Sequence, residues 1–201
     1  MRSRLFLLLS LLASLSSHAD RIELDCATRT LLEKIAVDHV KGQDEVLRRT
    51  KPETSLQIPF RAETFSPLTI LATGGEAQIV TVLRNQEVQI LKRFYSPTQA
   101  VRYVAGMNQF RDLGVAAAEI LAVDFPNKTV AVKNYRLFSP DWVYQEALPA
   151  GEWSRLIRLR RQFADKVEDI GFRHGLLDKR LVTSNILLDL DTEQFLLIDI
   201  E

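Results

Sequence analysis

Between Leu68 and Phe94 the chain carries three short apolar, β-branched runs, broken by Gly74-Gly75 and by Arg84-Asn85-Gln86-Glu87. Runs of that length with turn residues between them predict a three-strand antiparallel meander over 68–73, 77–83 and 88–94. Ser96 then stands as an N-cap with Pro97 at the first helical position, and Ala100, Val101, Val104, Met107 and Phe110 predict the inner face of a helix ending near Gly114. A hairpin follows over 120–125 and 129–135 around Pro126-Asn127-Lys128. Trp153 to Ile170 predicts a second long helix, basic at its start, with Leu156, Leu159, Phe163, Val167 and Ile170 inward and Gly171 as its stop. Ser184 to Leu190 and Gln194 onward, around Asp191-Thr192-Glu193, predict a last hairpin. Strands and helices are segregated, with no alternating βαβ repeat, so the expected class is α+β with an antiparallel sheet.

Upstream of the meander the sequence changes character twice. Residues 1–19 join Arg2 and Arg4 to an apolar run, Leu5 to Leu15, and to the small-x-small site Ser17-His18-Ala19, the layout of a secretory signal peptide. The run is too short to span a bilayer, so no stable membrane anchor is expected after cleavage, and an exported location, periplasmic or secreted, follows. Cys26 to Arg49 predicts one or two amphipathic helices interrupted near Gly42, and the three prolines of 51–67 predict an extended connector.

Charge and cysteine content narrow the functions. Lys plus Arg and Asp plus Glu both number 26; without Arg2 and Arg4, 24 bases face 26 acids, net −2. A nucleic-acid partner ordinarily needs a basic excess, so none is expected. Cys26 is the only cysteine, which rules out an intramolecular disulfide and an all-thiolate metal site.

Three features fall where a nucleotide site needs them, although each has a plainer structural reading. Gly74-Gly75-Glu76-Ala77 lies between two strands, where glycines let backbone approach phosphates, or simply form a tight hairpin. Lys92 is an ammonium in an apolar strand, able to meet phosphate oxygens or just reach solvent. Asn185 and Asp199 bracket the last hairpin and would bring an amide oxygen and a carboxylate to one end of a ribbon. Hard oxygen donors of that kind suit Mg²⁺, which takes few protein ligands.

Their order, from glycine turn to strand lysine, helix, hairpin, helix, Asn loop and Asp-ended strand, resembles the protein-kinase-like superfamily from about Leu68 to Glu201. More narrowly it resembles the small atypical branch that includes RIO and lipopolysaccharide sugar kinases. Gly75-Glu76-Ala77 resembles that branch's Gly-Ala-Glu-Ala phosphate loop, Val182-Thr183-Ser184-Asn185-Ile186-Leu187 its Thr-Thr-Ser-Asn catalytic-loop ending, and Phe110 to Val115 with Glu119-Ile120-Leu121 the passage out of helix C. The resemblance implies an N-lobe of about 68–138 and a partial, minimal C-lobe of about 139–201, after an N-terminal extension and connector, 20–67. It implies ATP and Mg²⁺ as cofactors, Gly74, Gly75 and Glu76 as the phosphate-covering loop, and Lys92 as the phosphate lysine. Asn185 and Asp199 become metal ligands, and 133–137 the hinge that receives adenine.

Three departures divide the functional expectation. Where that family places its catalytic Asp, five residues before the Asn, this chain has Arg180, and a guanidinium accepts no proton; Asp178 is the nearest carboxylate, a displaced base. Between Arg93 and Ala118 there is no Glu to pair with Lys92, leaving Glu76 or the nucleotide itself. Ile200-Glu201 stands where the family has Phe-Gly, with no activation segment. The expectation is an exported, ATP-dependent, atypical serine/threonine-type phosphotransferase with a nucleotide as partner and an acceptor left open among a protein hydroxyl, a sugar and a lipid, or with a protein as binding partner. The alternatives are a pseudokinase serving as a binding or regulatory module, and an exported α+β domain with no nucleotide site.

Overall fold

Alternation of inward and outward side chains along five antiparallel strands organises the protein, seen in a computed structural model that describes residues 21–51, 57–73 and 76–200. The elements are α1 (Cys26–Thr50), β1 (Ile58–Phe60), β2 (Glu63–Phe65), β3 (Thr69–Thr73), β4 (Ala77–Arg84), β5 (Glu87–Phe94), α2 (Pro97–Asp112), β6 (Ile120–Asp124), β7 (Thr129–Val132), β8 (Leu137–Phe138), α3 (Glu152–Arg173), β9 (Ile186–Asp189) and β10 (Gln194–Leu197). The main sheet runs β3-β4-β5-β7-β6, all antiparallel; β8-β9-β10 form a second sheet and β1-β2 a separate hairpin. The class is α+β, with antiparallel sheets, as the pattern predicts. The meander closes through Asn85 and Gln86, both at positive φ, a two-residue loop whose twist matches its flanking strands.

The two faces of the sheet bury different things. On one, Ile70, Val80, Val82, Leu91 and Ala131 pack under Ile58 and Phe60, fully buried side chains of the β1-β2 hairpin. Each such side chain contributes about 1.5–3 kcal/mol by leaving water, enough to hold a hairpin that could not stand alone. That hairpin lies in the stretch expected to be an extended connector; its anchor residues are apolar, which the prolines obscured. On the other face Ile90, Phe94, Val130 and Val132 meet Ala100, Tyr103, Met107 and Phe110 of α2. The helix opens with a capping box, Ser96 accepting from Gln99 N and the Gln99 side chain accepting from Ser96 N. Its buried stripe is turned relative to expectation: Tyr103 is inside and Val101 is half-exposed.

The first helix is continuous through Gly42, because it is anchored on both sides of that residue, by buried Leu32 and Ala36 upstream and by half-buried Leu47 downstream. It covers the open edge of β3, where Asp44 accepts the Ile70 N–H at 2.7 Å and Arg48 donates to the Leu68 carbonyl at 3.1 Å. An edge strand's unpaired groups are thereby satisfied. Upstream, Ile22 N donates to the Glu193 carbonyl at 2.6 Å, and the Glu193 carboxylate receives Arg21 at 3.0 Å and Arg29. Burial works against this carboxylate's charge, but the two arginines outweigh it and hold the group below the usual glutamate range.

The last helix, α3, runs past Gly171, which is not its stop; the chain turns at Gly175, φ +66°. Gly171 is buried because a Cβ there would lie 2.5 Å from Leu177 Cδ1 and 3.1 Å from Phe110 Cζ. Arg160, on the inner face, is buried in a bidentate pair with Asp141 at 2.7 and 2.8 Å and donates to Ser139 at 3.1 Å. No helix among the described residues is long and apolar enough to cross a membrane.

Two glycines should respond oppositely to substitution. Gly42→Ala, with nothing within 4 Å of the added Cβ, should stabilise the protein by about 0.5–1 kcal/mol in urea denaturation. Gly171→Val should destabilise it by about 1–3 kcal/mol through overpacking. Because the folded Glu193 carboxyl is depressed, its contribution is present above the unfolded glutamate pKa, about 4.3, and fades as pH falls through the folded value. Glu193→Gln should lower stability at pH 7 and flatten the loss below about pH 5; an acid limb of unchanged slope would refute this assignment.

Candidate functional site

On β5 the two-residue period sets Lys92 on the same face as Ile90 and Phe94, against α2 and away from solvent. Only 4% of Lys92 is exposed, so its ammonium must be satisfied within the protein. Asp199 Oδ2 lies 2.7 Å from Lys92 Nζ, the Ile198 carbonyl is 3.5 Å away, and the Tyr103 ring centroid is 4.0 Å away. This pair joins residues 107 positions apart.

Asp199 is placed by the small sheet. Leu197 pairs with Ile186 in the β9-β10 register, and Ile198 N donates to the Asn185 carbonyl at 2.8 Å. Asn185 and Asp199 therefore sit at the same end of the hairpin. The ribbon is bound to the stretch that leads into β6 through Leu197, whose N–H donates to the Ala116 carbonyl and whose carbonyl accepts from Ala118 N, both at 2.9 Å. Beyond it, Ile200 N donates to Asp199 Oδ1 at 2.9 Å, and the Ile200 side chain packs onto α2 at Gly106, where a Cβ would come within 2.3 Å of its Cδ1. A small residue on α2 thus lets the chain after Asp199 lie against the helix.

The other expected residues are placed as follows. Gly74 and Gly75 lie outside the described residues. Glu76 directly precedes β4; its carbonyl accepts the Tyr95 N–H at 2.9 Å, and its Oε2 is buried without a hydrogen-bond partner. It is not the partner of Lys92. Residues 133–136 connect β7 to β8, with Lys133 N donating to the Glu119 carbonyl and the Tyr135 hydroxyl accepting from Glu119 N, both at 2.9 Å. Asp178 is 77% exposed, and its ion-pair partner is Arg102 of α2 at 3.9 Å, a group distinct from the Lys92 pair. Arg180 is exposed. Surface depressions run along α1 from Asp38 to Leu47 and around Arg21, Cys26 and Glu193, and neither includes Lys92 or Asp199. Among the described residues no three His, Cys, Asp or Glu side chains gather as a metal cluster.

Sequence reasoning missed Tyr103. Its spacing in Ala100, Tyr103, Met107 and Phe110 is the i, i+3, i+4 signature of a buried face and was the available signal. Burial first, then the nearby Asp199 and Tyr135, push its hydroxyl far above the usual tyrosine range, so it is a neutral phenol.

No family model and no curated protein matches the sequence. Among solved structures, the chain is similar to the crystal structure of the M. tuberculosis PknI kinase domain, at 16% identity and a TM-score of 0.40. That match covers 68% of this chain and spans 57% of the length of the other.

Removing one member of the buried pair should be asymmetric. Asp199→Asn strands an ammonium that is almost wholly buried and should cost about 3 kcal/mol. Lys92→Met leaves a carboxylate whose side chain is 23% exposed and should cost less. Urea titrations of both variants check this, and a larger loss for Lys92→Met would show that Asp199 is not what satisfies Lys92.

Proposed function

We propose that the protein is an exported, kinase-like Mg-ATP-binding phosphotransferase. The observation that carries the reading is the 2.7 Å contact between the strand lysine, Lys92, and Asp199 at the exit of the C-terminal hairpin. An ammonium and a carboxylate drawn from distant segments and held on one sheet face are the pair needed to bind phosphate and its counter-cation. Asn185, at the same hairpin end, would add an amide oxygen to that carboxylate, the hard-donor chemistry that suits Mg²⁺ with water and phosphate filling its shell. Lys92 would contact α/β-phosphate oxygens, Asn185 and Asp199 would hold the metal, and 133–137 would receive adenine. When bound, Mg²⁺ supplies charge neutralisation on the phosphates. Gly74, Gly75 and Glu76 would cover the phosphates.

In the transfer, an acceptor hydroxyl oxygen bonds to the γ-phosphorus as the bond from that phosphorus to the β,γ-bridging oxygen breaks. ADP leaves, and the hydroxyl proton passes to Asp178. A second reading, a nucleotide-binding module without transfer, is favoured by one observation: Asp178 faces Arg102 rather than the Lys92 pair.

Transfer of labelled γ-phosphate from Mg-ATP, with a parallel binding measurement, separates these readings. An active enzyme incorporates label, loses it in Lys92→Ala, and in Asp178→Asn loses turnover while binding persists. A binding module gains about 2.7 kcal/mol of stability at 100 times the dissociation constant and transfers nothing. A protein with no nucleotide site shows neither effect.

A further inference from the structure

In this protein the helix packed over Lys92 brings no carboxylate to it: residues 94–117 contain no Glu, and their one acid, Asp112, is the last residue of α2. What α2 presents instead is Tyr103, 2% exposed, with its ring centroid 4.0 Å from Lys92 Nζ. Phe94, two residues along β5, adds a second ring at 5.7 Å and packs on Tyr103 with centroids 5.3 Å apart. The Tyr103 hydroxyl donates to the Ile198 carbonyl at 3.4 Å, the same oxygen that faces Lys92 Nζ at 3.5 Å, which tethers the ring. A desolvated ammonium over an aromatic face is strongly attracted to it.

We propose that Tyr103 is the positioning residue for Lys92, holding its ammonium by the ring face in the role a helix carboxylate would otherwise fill. The chemistry favours a neutral holder. Asp199 already neutralises Lys92, and a second carboxylate beside it would add like-charge repulsion in a buried space. A ring face attracts the cation without competing for it, so Lys92 stays in place when Asp199 exchanges for a phosphate oxygen. This last step rests on the nucleotide reading; the hold on Lys92 does not.

The test replaces Tyr103 in the full chain with Phe and then with mono-, di- and trifluorinated Phe, which keep the ring's shape while weakening its negative face. The same series is made in Lys92→Met, and melting temperature without nucleotide and affinity for a fluorescent ATP analogue are measured. Tyr103→Phe gives up the 3.4 Å hydrogen bond to Ile198 and should melt somewhat below the parent; from that baseline fluorination should lower Tm stepwise by about 2–6 °C in total, with no trend in Lys92→Met. Affinity should fall about tenfold across the series. A flat series, or equal slopes in both backgrounds, overturns the proposal, as does a sloped Tm series with unchanged affinity. A sloped Tm series in a protein that binds no nucleotide at any position-103 residue upholds the hold on Lys92 and sinks the nucleotide reading instead.

Discussion

A lysine ammonium buried in an apolar layer costs several kcal/mol unless it is paired, and that constraint at Lys92 organises the elements around it. Its satisfaction requires Asp199 at 2.7 Å, which requires the β9-β10 hairpin to be fixed to the stretch that leads into β6. The hydrogen bonds of Leu197 to Ala116 and Ala118 do that, and the packing of Ile200 onto Gly106 extends it to α2. The same helix carries Tyr103 to the ammonium's other side. Sheet, helix and hairpin are thus locked at one point by electrostatics, while the apolar contacts around it supply most of the favourable energy.

The rigidity of that point depends on elements upstream of the meander. The β1-β2 hairpin seals the face of the sheet opposite Lys92, and α1 covers the β3 edge through Asp44 and Arg48. Without the hairpin, Val80, Val82 and Leu91 would face water on the strands that flank or carry Lys92, and Ile70 on the edge strand beside them. The β1-β2 hairpin of the N-terminal extension therefore serves the sheet directly, closing the face opposite Lys92.

The strands, the Ser96 cap and the α+β class were legible because period-2 alternation and capping are local signals. So was the placing of Asn185 and Asp199 at one end of the last hairpin, since hairpin topology alone brings them together. What the sequence concealed depends on partners far along the chain. Tyr103 was passed over because Val101 and Val104 look equally apolar, and only the position of β5 decides which face is buried. Gly171 reads as a helix stop by propensity, but Leu177 and Phe110 demand its missing Cβ while the helix continues. Gly42 reads as a break, yet one glycine costs only about 1 kcal/mol in a helix anchored elsewhere.

On the proposed kinase-like reading, transfer as against nucleotide binding alone would turn on the segment after α3. Leu176 N and Leu177 N both donate to the Gly171 carbonyl, at 2.8 and 3.3 Å, and Leu177 is buried against Gly171. Leu181 is buried as well, its N–H held by Glu168 Oε1 at 2.9 Å. Asp178, Lys179 and Arg180 are an exposed arch between these anchors, so Asp178 is confined to motions that three residues permit. The Arg102 contact is exposed and worth little, on the order of 0–1 kcal/mol, so it offers small resistance to rotation. The energetic obstacle to Asp178 serving as a base is therefore the anchoring of Leu177 and Leu181, and the catalytic reading requires an acceptor hydroxyl that comes to the arch rather than an arch that travels to the phosphate.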